Sequence, residues 1–187
     1  MPLRCPHLRL FAVLASVAAI AAAAPTPALG AQACEAGNAT PATSSNRTMV
    51  RATLCVLNAE RAAAGLKPLR LNKRLSKAAR RHAHAMARRK FFSHTSPNGA
   101  SFVDRIRRTG YLRRTRYWTV GENLAWAMRR QAAPRGITDM WMNSPGHRAN
   151  ILSPSFREVG IGIVDGAPVD GAGRPAATYT TDFGARR

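Results

Sequence analysis

Apolar residues first fall into register at Val50, Leu54 and Leu57, spaced three and four apart as one stripe of a helix requires. Thr48 stands at the start of this stripe as a cap, and Gly65 beyond its end as a stop. The Leu66-Lys67-Pro68-Leu69 turn leads to a second helix opened by Asn72, along which Leu75, Ala79, His82 and Met86 share one face. Proline and glycine in Thr95-Ser96-Pro97-Asn98-Gly99 force the chain out of that helix. A short third helix follows from Ser101, carrying Phe102, Asp104 and Ile106 and ending at Gly110, and residues 136–143 predict another that buries Ile137, Met140 and Trp141. The period then changes. Residues 159–164 alternate with glycine and residues 177–183 are rich in Thr and Tyr, so both predict strands, joined as a hairpin by the glycine-rich, proline-flanked segment 165–175. Helices in the first half and strands in the second predict an α+β domain, with helices covering an antiparallel sheet.

Ahead of this domain the pattern is different. Arg4 and Arg9 precede an apolar, Ala-rich stretch over residues 10–24, followed by small residues around Gly30 and Ala33. That order predicts a secretory signal peptide over residues 1–30, cleaved after Gly30 or Ala33. The stretch is shorter than the roughly 20 residues a membrane anchor needs. About 150 residues then remain, enough for one domain with one core over residues 48–187. Residues 35–46 show no apolar period, so 31–47 reads as a flexible segment.

Export changes the meaning of the cysteines. Cys5 leaves with the signal, and Cys34 and Cys55 remain. In an oxidising compartment the pair reads as a bridge pinning the N-terminal segment to the first helix, with a reactive thiol at Cys55 as the alternative.

The formal net charge is +20. No acid occurs between Glu60 and Asp104, whereas Lys73, Arg74, Lys77, Arg80, Arg81, Arg88, Arg89 and Lys90 all fall there. Such a field attracts polyanions. Export argues against nucleic acid and points to anionic cell-envelope polymers or lipid headgroups, unless the charges only form a solvated face.

Three islands combine a polar functional group with backbone-breaking residues, as rigid loops do. They are Phe92-Ser93-His94-Thr95-Ser96-Pro97, Gly121-Glu122-Asn123-Leu124-Ala125, and Trp141 to Leu152 with its Ser144-Pro145-Gly146-His147 turn. Two imidazoles and a carboxylate from His94, His147 and Glu122 could converge on one divalent ion such as zinc or magnesium. The same three could work as base and orienting acid without a metal. His82, on the apolar helix face, reads as a satisfied core residue, while Asn123, Arg148 and Asn150 read as loop braces.

These islands, preceded by Leu57-Asn58-Ala59-Glu60-Arg61 and followed by Val159-Gly160-Ile161-Gly162 and Tyr179-Thr180-Thr181-Asp182-Phe183-Gly184, resemble the bacterial branch of the CAP superfamily. That superfamily takes in the cysteine-rich secretory proteins, antigen 5 and the plant pathogenesis-related proteins. The resemblance covers about Thr48 to Gly184 and implies an α-β-α sandwich with a cleft lined by two His and two Glu. It matches His94, Glu122 and His147 to three of those four. At the fourth, where animal members carry a glutamate after a tryptophan, this chain has Trp141-Met142-Asn143-Ser144, and Glu158 is a weak substitute. Members have been associated with sterol and lipid binding.

Three functions compete. One is an extracellular binding module whose His/Glu cleft holds a divalent metal or a small or lipid ligand. Another is a metal-assisted hydrolase of peptide or envelope material with Glu122 as base, weakened by the missing second acid. The third is adhesion to the envelope by charge alone.

Overall fold

Residues 34–187 are described by a computed structural model; the expected signal peptide and its cleavage points lie outside the described residues. Ser45 accepts a hydrogen bond from the Thr48 amide and so starts the first helix, α1 (Asn46–Ala63), earlier than the expected cap. Gly65, at φ +67°, follows its end in the left-handed conformation that glycine adopts most readily. A two-residue strand, β1 (Arg70–Leu71), leads to Asn72, whose side chain accepts from the Arg74 and Leu75 amides and opens α2 (Lys73–Arg89). Leu75, Ala79, His82 and Met86 are all buried on its inner face. Ser101 and Asp104 form a reciprocal capping box at the start of α3 (Phe102–Arg108).

The remaining elements are β2 (Trp118–Met128), α4 (Pro134–Met142), α5 (Pro145–Ile151), β3 (Glu158–Asp165) and β4 (Ala176–Arg186). The four strands lie in the order β1-β3-β4-β2. β3 and β4 form the expected antiparallel hairpin and β2 pairs antiparallel with β4, while short β1 runs parallel to β3.

Helices cover both faces of this sheet. α1, α4 and α5 contribute Met49, Leu57, Ile137, Trp141 and Ile151 to a core with Ile161, Ile163, Tyr179 and Phe183, each large side chain contributing about 1.5–3 kcal/mol by leaving water. The other face receives α2, which packs on β3 and β4. At Gly160 a Cβ atom would lie 2.0 Å from the Leu75 carbonyl carbon, and at Gly162 one would lie 2.3 Å from the Arg80 amide nitrogen. The alternating glycines of β3 therefore let the helix backbone rest directly on the sheet.

Three expectations are corrected. Gly121-Glu122-Asn123 lies within the eleven-residue strand β2 and not in a loop: Gly121 leaves space that the Asn150 side chain and the Phe156 ring occupy, and pairing along β4 satisfies the backbone. His147 belongs to a helix, because Pro145 stands in the first turn of α5, where its missing N–H costs nothing. Met140 is 47% exposed, one position off the stripe that buries Ile137 and Trp141.

Cys34 and Cys55 are joined in a disulfide, 21 residues apart, so Cys55 is not a free nucleophile. It fastens a single 3-10 turn (Glu35–Asn38), within the segment expected to lack structure, to the middle of α1.

The Leu57-Asn58-Ala59-Glu60-Arg61 run has a structural use. Arg61 is fully buried, and its guanidinium donates to the carbonyls of Lys67 (2.9 Å), Ile151 (2.6 Å), Ser153 (2.9 Å) and Phe156 (3.3 Å). Asn58 exchanges two hydrogen bonds with the Leu69 backbone. One turn of α1 thus holds the chain entering α2 and the chain leaving α5.

Candidate functional site

β2 is an edge strand, and the site is assembled around its middle. Glu122 projects from it with a side chain only 1% exposed. One oxygen, Oε1, accepts a hydrogen bond from His94 Nδ1 at 2.8 Å; the other, Oε2, accepts from Arg105 Nη2 at 2.5 Å. A carboxylate so buried requires such a charged partner, since isolated burial of the ion costs several kcal/mol. Arg105 also donates through Nη1 to His94 O (2.9 Å), Ser96 Oγ (3.1 Å) and Ala100 O (3.1 Å). A single guanidinium therefore ties the loop after α2 to the acid on β2.

The His94 side chain is 53% exposed. Donation from Nδ1 to Glu122 fixes the tautomer of the neutral ring and leaves Nε2 as its free lone pair. His147 reaches the same edge from α5: Asn123 Nδ2 donates to its carbonyl at 3.0 Å, and Asn150 Nδ2 donates to Asn123 Oδ1 at 2.8 Å and to Glu122 O at 3.3 Å. Both asparagines are braces, as expected. The His147 imidazole has its pKa lowered, by burial first and then by the charge of His94. Such an effect places the two rings in each other's field. Among the described residues the His147 ring makes no hydrogen bond to Glu122 or His94, and no group of three or more His, Cys, Asp or Glu side chains has metal-holding geometry.

Two further residues belong to this region. Asp182 is fully buried on β4 and paired in register with Glu122 across the ladder. Its pKa lies well above the usual carboxylate range, because burial disfavours the ion and Glu122 repels it, with Arg105 opposing. Its mark in the sequence is a lone acid within the Tyr179-Thr180-Thr181-Asp182-Phe183 run. His82 is buried with Nε2 2.9 Å from Ser93 O, but its Nδ1 is buried without a partner. Its pKa is lowered by burial first, while Glu122 raises it and Arg105 lowers it. The reading of a fully satisfied core histidine is thus half met, and His82 is electrostatically part of the site.

Of the replacements considered for the second family glutamate, Glu158 is engaged elsewhere. Glu158 accepts from Asn72 Nδ2 and Tyr111 OH, both at 2.7 Å, and lies 3.7 Å from Arg186, a network bracing the start of β3. Ser144 is the N-cap position of α5, and Asn143 is exposed.

A three-layer α-β-α sandwich with a histidine–glutamate edge site is the class this geometry defines. The model of the CAP family, described as the cysteine-rich secretory protein family, matches residues 54–180, and the chain belongs to that family. It is 40% identical over 112 residues to the uncharacterized protein YkwD of Bacillus subtilis, a match covering 60% of this chain and 41% of that protein. The chain thus spans about two-fifths of that relative's length. Among solved structures, an extracellular SCP-domain protein from Bacillus anthracis superposes with a TM-score of 0.58 at 24% identity, over 75% of this chain and 43% of that one. An outer surface protein from Borrelia burgdorferi superposes with a TM-score of 0.64 at 17% identity, over 77% of this chain and 97% of that one. These two likenesses establish the fold.

Proposed function

We propose that the chain is an extracellular CAP-domain binding module whose edge site holds a divalent ion through the imidazoles of His94 and His147. The observation that carries this reading is the 2.8 Å contact between Glu122 and His94 Nδ1. A carboxylate behind a histidine fixes the ring and leaves the opposite nitrogen for a metal, an arrangement frequent among metal-bound histidines. Glu122 then acts as the orienting acid. Two imidazoles favour zinc over magnesium, whose preferred ligands are oxygens. The extracellular placement draws on the two structural relatives, one described as extracellular and the other as an outer surface protein, and on the signal-peptide pattern. Among the described residues no helix is long and apolar enough to cross a membrane.

Hydrolysis is the weaker reading, because Glu122 would have to be free to take a proton from water, whereas both its oxygens are engaged. Calorimetric titration of zinc into the wild type and a His94→Ala/His147→Ala variant tests the proposal, with both proteins assayed on peptides and cell-wall fragments. Binding lost in the variant with no turnover in either supports a module. Zinc-dependent turnover lost in the variant would replace it with a hydrolase, and equal zinc binding by both proteins would remove the ion from His94 and His147.

A further inference from the structure

Between α2, α3 and the loop at residues 96–98 lies a cavity of about 230 Å³. Four guanidinium-bearing residues line it: Arg81 and Arg89 from α2, and Arg105 and Arg108 from α3. Arg81 and Arg89 are two helical turns apart on one stripe, with Ala85 between them and Ala78 one turn before. The small side chains leave room at the centre and apolar surface on one wall, to which Pro97 adds. No Asp or Glu lines the cavity. Arg105 is neutralised by Glu122; Arg81, Arg89 and Arg108 make no salt bridge among the described residues. The acid nearest in effect to Arg108 is Asp104, which is occupied by Arg107 and by its own helix cap.

Unused hydrogen-bonding capacity collects around the same cavity. Two of its lining residues, His82 and Arg105, each keep a buried nitrogen without a partner, Nδ1 of the first and Nε of the second. Buried polar atoms are nearly always paired. The Arg105 nitrogen is a donor. With Nε2 of His82 donating to Ser93 O, Nδ1 of the neutral ring is an acceptor. Three cations without a counter-charge around one hollow describe an anion that has several acceptor oxygens. The volume is below the range usual for a whole drug-sized ligand.

We infer that this cavity is a binding site for a phosphate group carried on a small apolar body, held by the guanidiniums of Arg81, Arg89 and Arg108. Planar guanidinium forks match the tetrahedral oxygens of phosphate in pairs, and the alanine and proline wall receives the attached carbons. The inference goes beyond the metal reading and does not depend on His94 or His147. It also singles out Arg81 and Arg89 from the basic run of α2 as the two whose charges serve a site.

Phenyl phosphate is a suitable soluble probe, titrated into the full mature chain by two-dimensional NMR at constant ionic strength. The Arg81→Ala/Arg89→Ala variant is expected to bind it at least tenfold more weakly. A Lys73→Ala/Lys77→Ala variant, which removes the same charge from exposed positions of the same helix, is expected to bind like the wild type. Equal weakening by the arginine and lysine pairs would reduce the effect to a general basic field and overturn the site, as would no measurable binding by the wild type. Vesicles of phosphatidylglycerol, against phosphatidylcholine, separate the sources of the phosphate. Retention on the former that phenyl phosphate competes away assigns a lipid headgroup to the cavity, and binding of the soluble probe alone assigns a free phosphate ester.

Discussion

Asp182 stands opposite Glu122 on the ladder between β2 and β4, so that two carboxyl groups share the same buried face of the sheet. Their partners differ. Glu122 is held by Arg105 and His94, whereas neither oxygen of Asp182 meets a hydrogen-bond partner in good geometry. The stable assignment is one charge for the pair, carried by Glu122, with Asp182 keeping its proton.

That assignment has a definite pH signature. In the unfolded chain an aspartate releases its proton near pH 3.9; in the folded chain Asp182 releases it at higher pH, because burial and Glu122 oppose the charge. The native state then binds more protons than the unfolded state above about pH 3.9, and stability falls as pH rises through that window. Asp182→Asn removes the titration while keeping size and a donor. Between about pH 4 and pH 7 the variant should gain on the wild type by about 1 kcal/mol or more, read from urea unfolding at both pH values. A variant that loses ground over the same range would show that Asp182 is held as an anion.

Glu122 offers a second test. Glu122→Gln keeps the shape but weakens both the hold on His94 and the pairing with Arg105. Removing a carboxylate partner from behind a metal-binding histidine typically costs roughly 10–100-fold in metal affinity, and that loss is expected for zinc. Thermal melting of the zinc-free variant separates this from unfolding, since Arg105 loses its counter-charge in the same substitution. Zinc affinity unchanged in a folded variant would contradict an orienting role for Glu122.

Much of this was legible in the chain, and what was not has physical causes. Helix starts at Asn72 and Ser101 could be read because capping is local. The hairpin of β3 and β4 could be read because alternation and turn residues are adjacent in sequence. β2 was missed because Gly121 and Asn123 look like loop residues until Asn150 and Phe156, far along the chain, are packed against Gly121. Of the site, His94, Glu122 and His147 were singled out from their motifs. Arg105 was not, for it lies in a helix crowded with arginines, and only the fold shows that it reaches Glu122 while Arg107 turns to Asp104.

Gly160 is the tightest point between sheet and helix. A methyl group there would overlap the α2 backbone at Leu75 and Ser76, at 2.0 and 2.2 Å, and backbone cannot step aside as a side chain can. Gly160→Ala should therefore destabilise the fold by about 3 kcal/mol, at the upper end for overpacking, while Gly146→Ala, where nothing lies within 4 Å, serves as the mild comparison. Chemical denaturation of the two variants side by side measures the difference, and equal stabilities would mean that α2 can lift from the sheet at little cost.

The disulfide acts on a different part of the molecule. Cys34 and Cys55 close a loop of about 20 residues, which restricts the unfolded chain by roughly 3 kcal/mol. A Cys34→Ser/Cys55→Ser variant should lose about that much stability, yet keep zinc binding, because Cys55 lies on α1, away from the β2 edge. Loss of zinc binding in a folded variant would tie the N-terminal turn to the site.

Arg61 allows the sharpest separation between charge and hydrogen bonding in the fold. Its guanidinium is buried without an acid among its hydrogen-bond partners, and burial followed by Arg157 pulls its pKa down. Four backbone carbonyls accept from it, one ahead of α2 and three at and beyond the end of α5. Arg61→Lys retains the charge on a point donor that cannot span those carbonyls, and Arg61→Leu leaves those of Lys67, Ile151 and Ser153 unpaired, while Phe156 O still accepts from Arg157. Each unpaired buried group costs about 1–3 kcal/mol, so Arg61→Leu should lose at least about 3 kcal/mol and Arg61→Lys an intermediate amount. Hydrogen exchange of the amides at residues 66–69 and 151–157 reads the local effect: if the guanidinium staples these segments together, their protection falls first and together, and protection that falls uniformly across the domain would deny it that role.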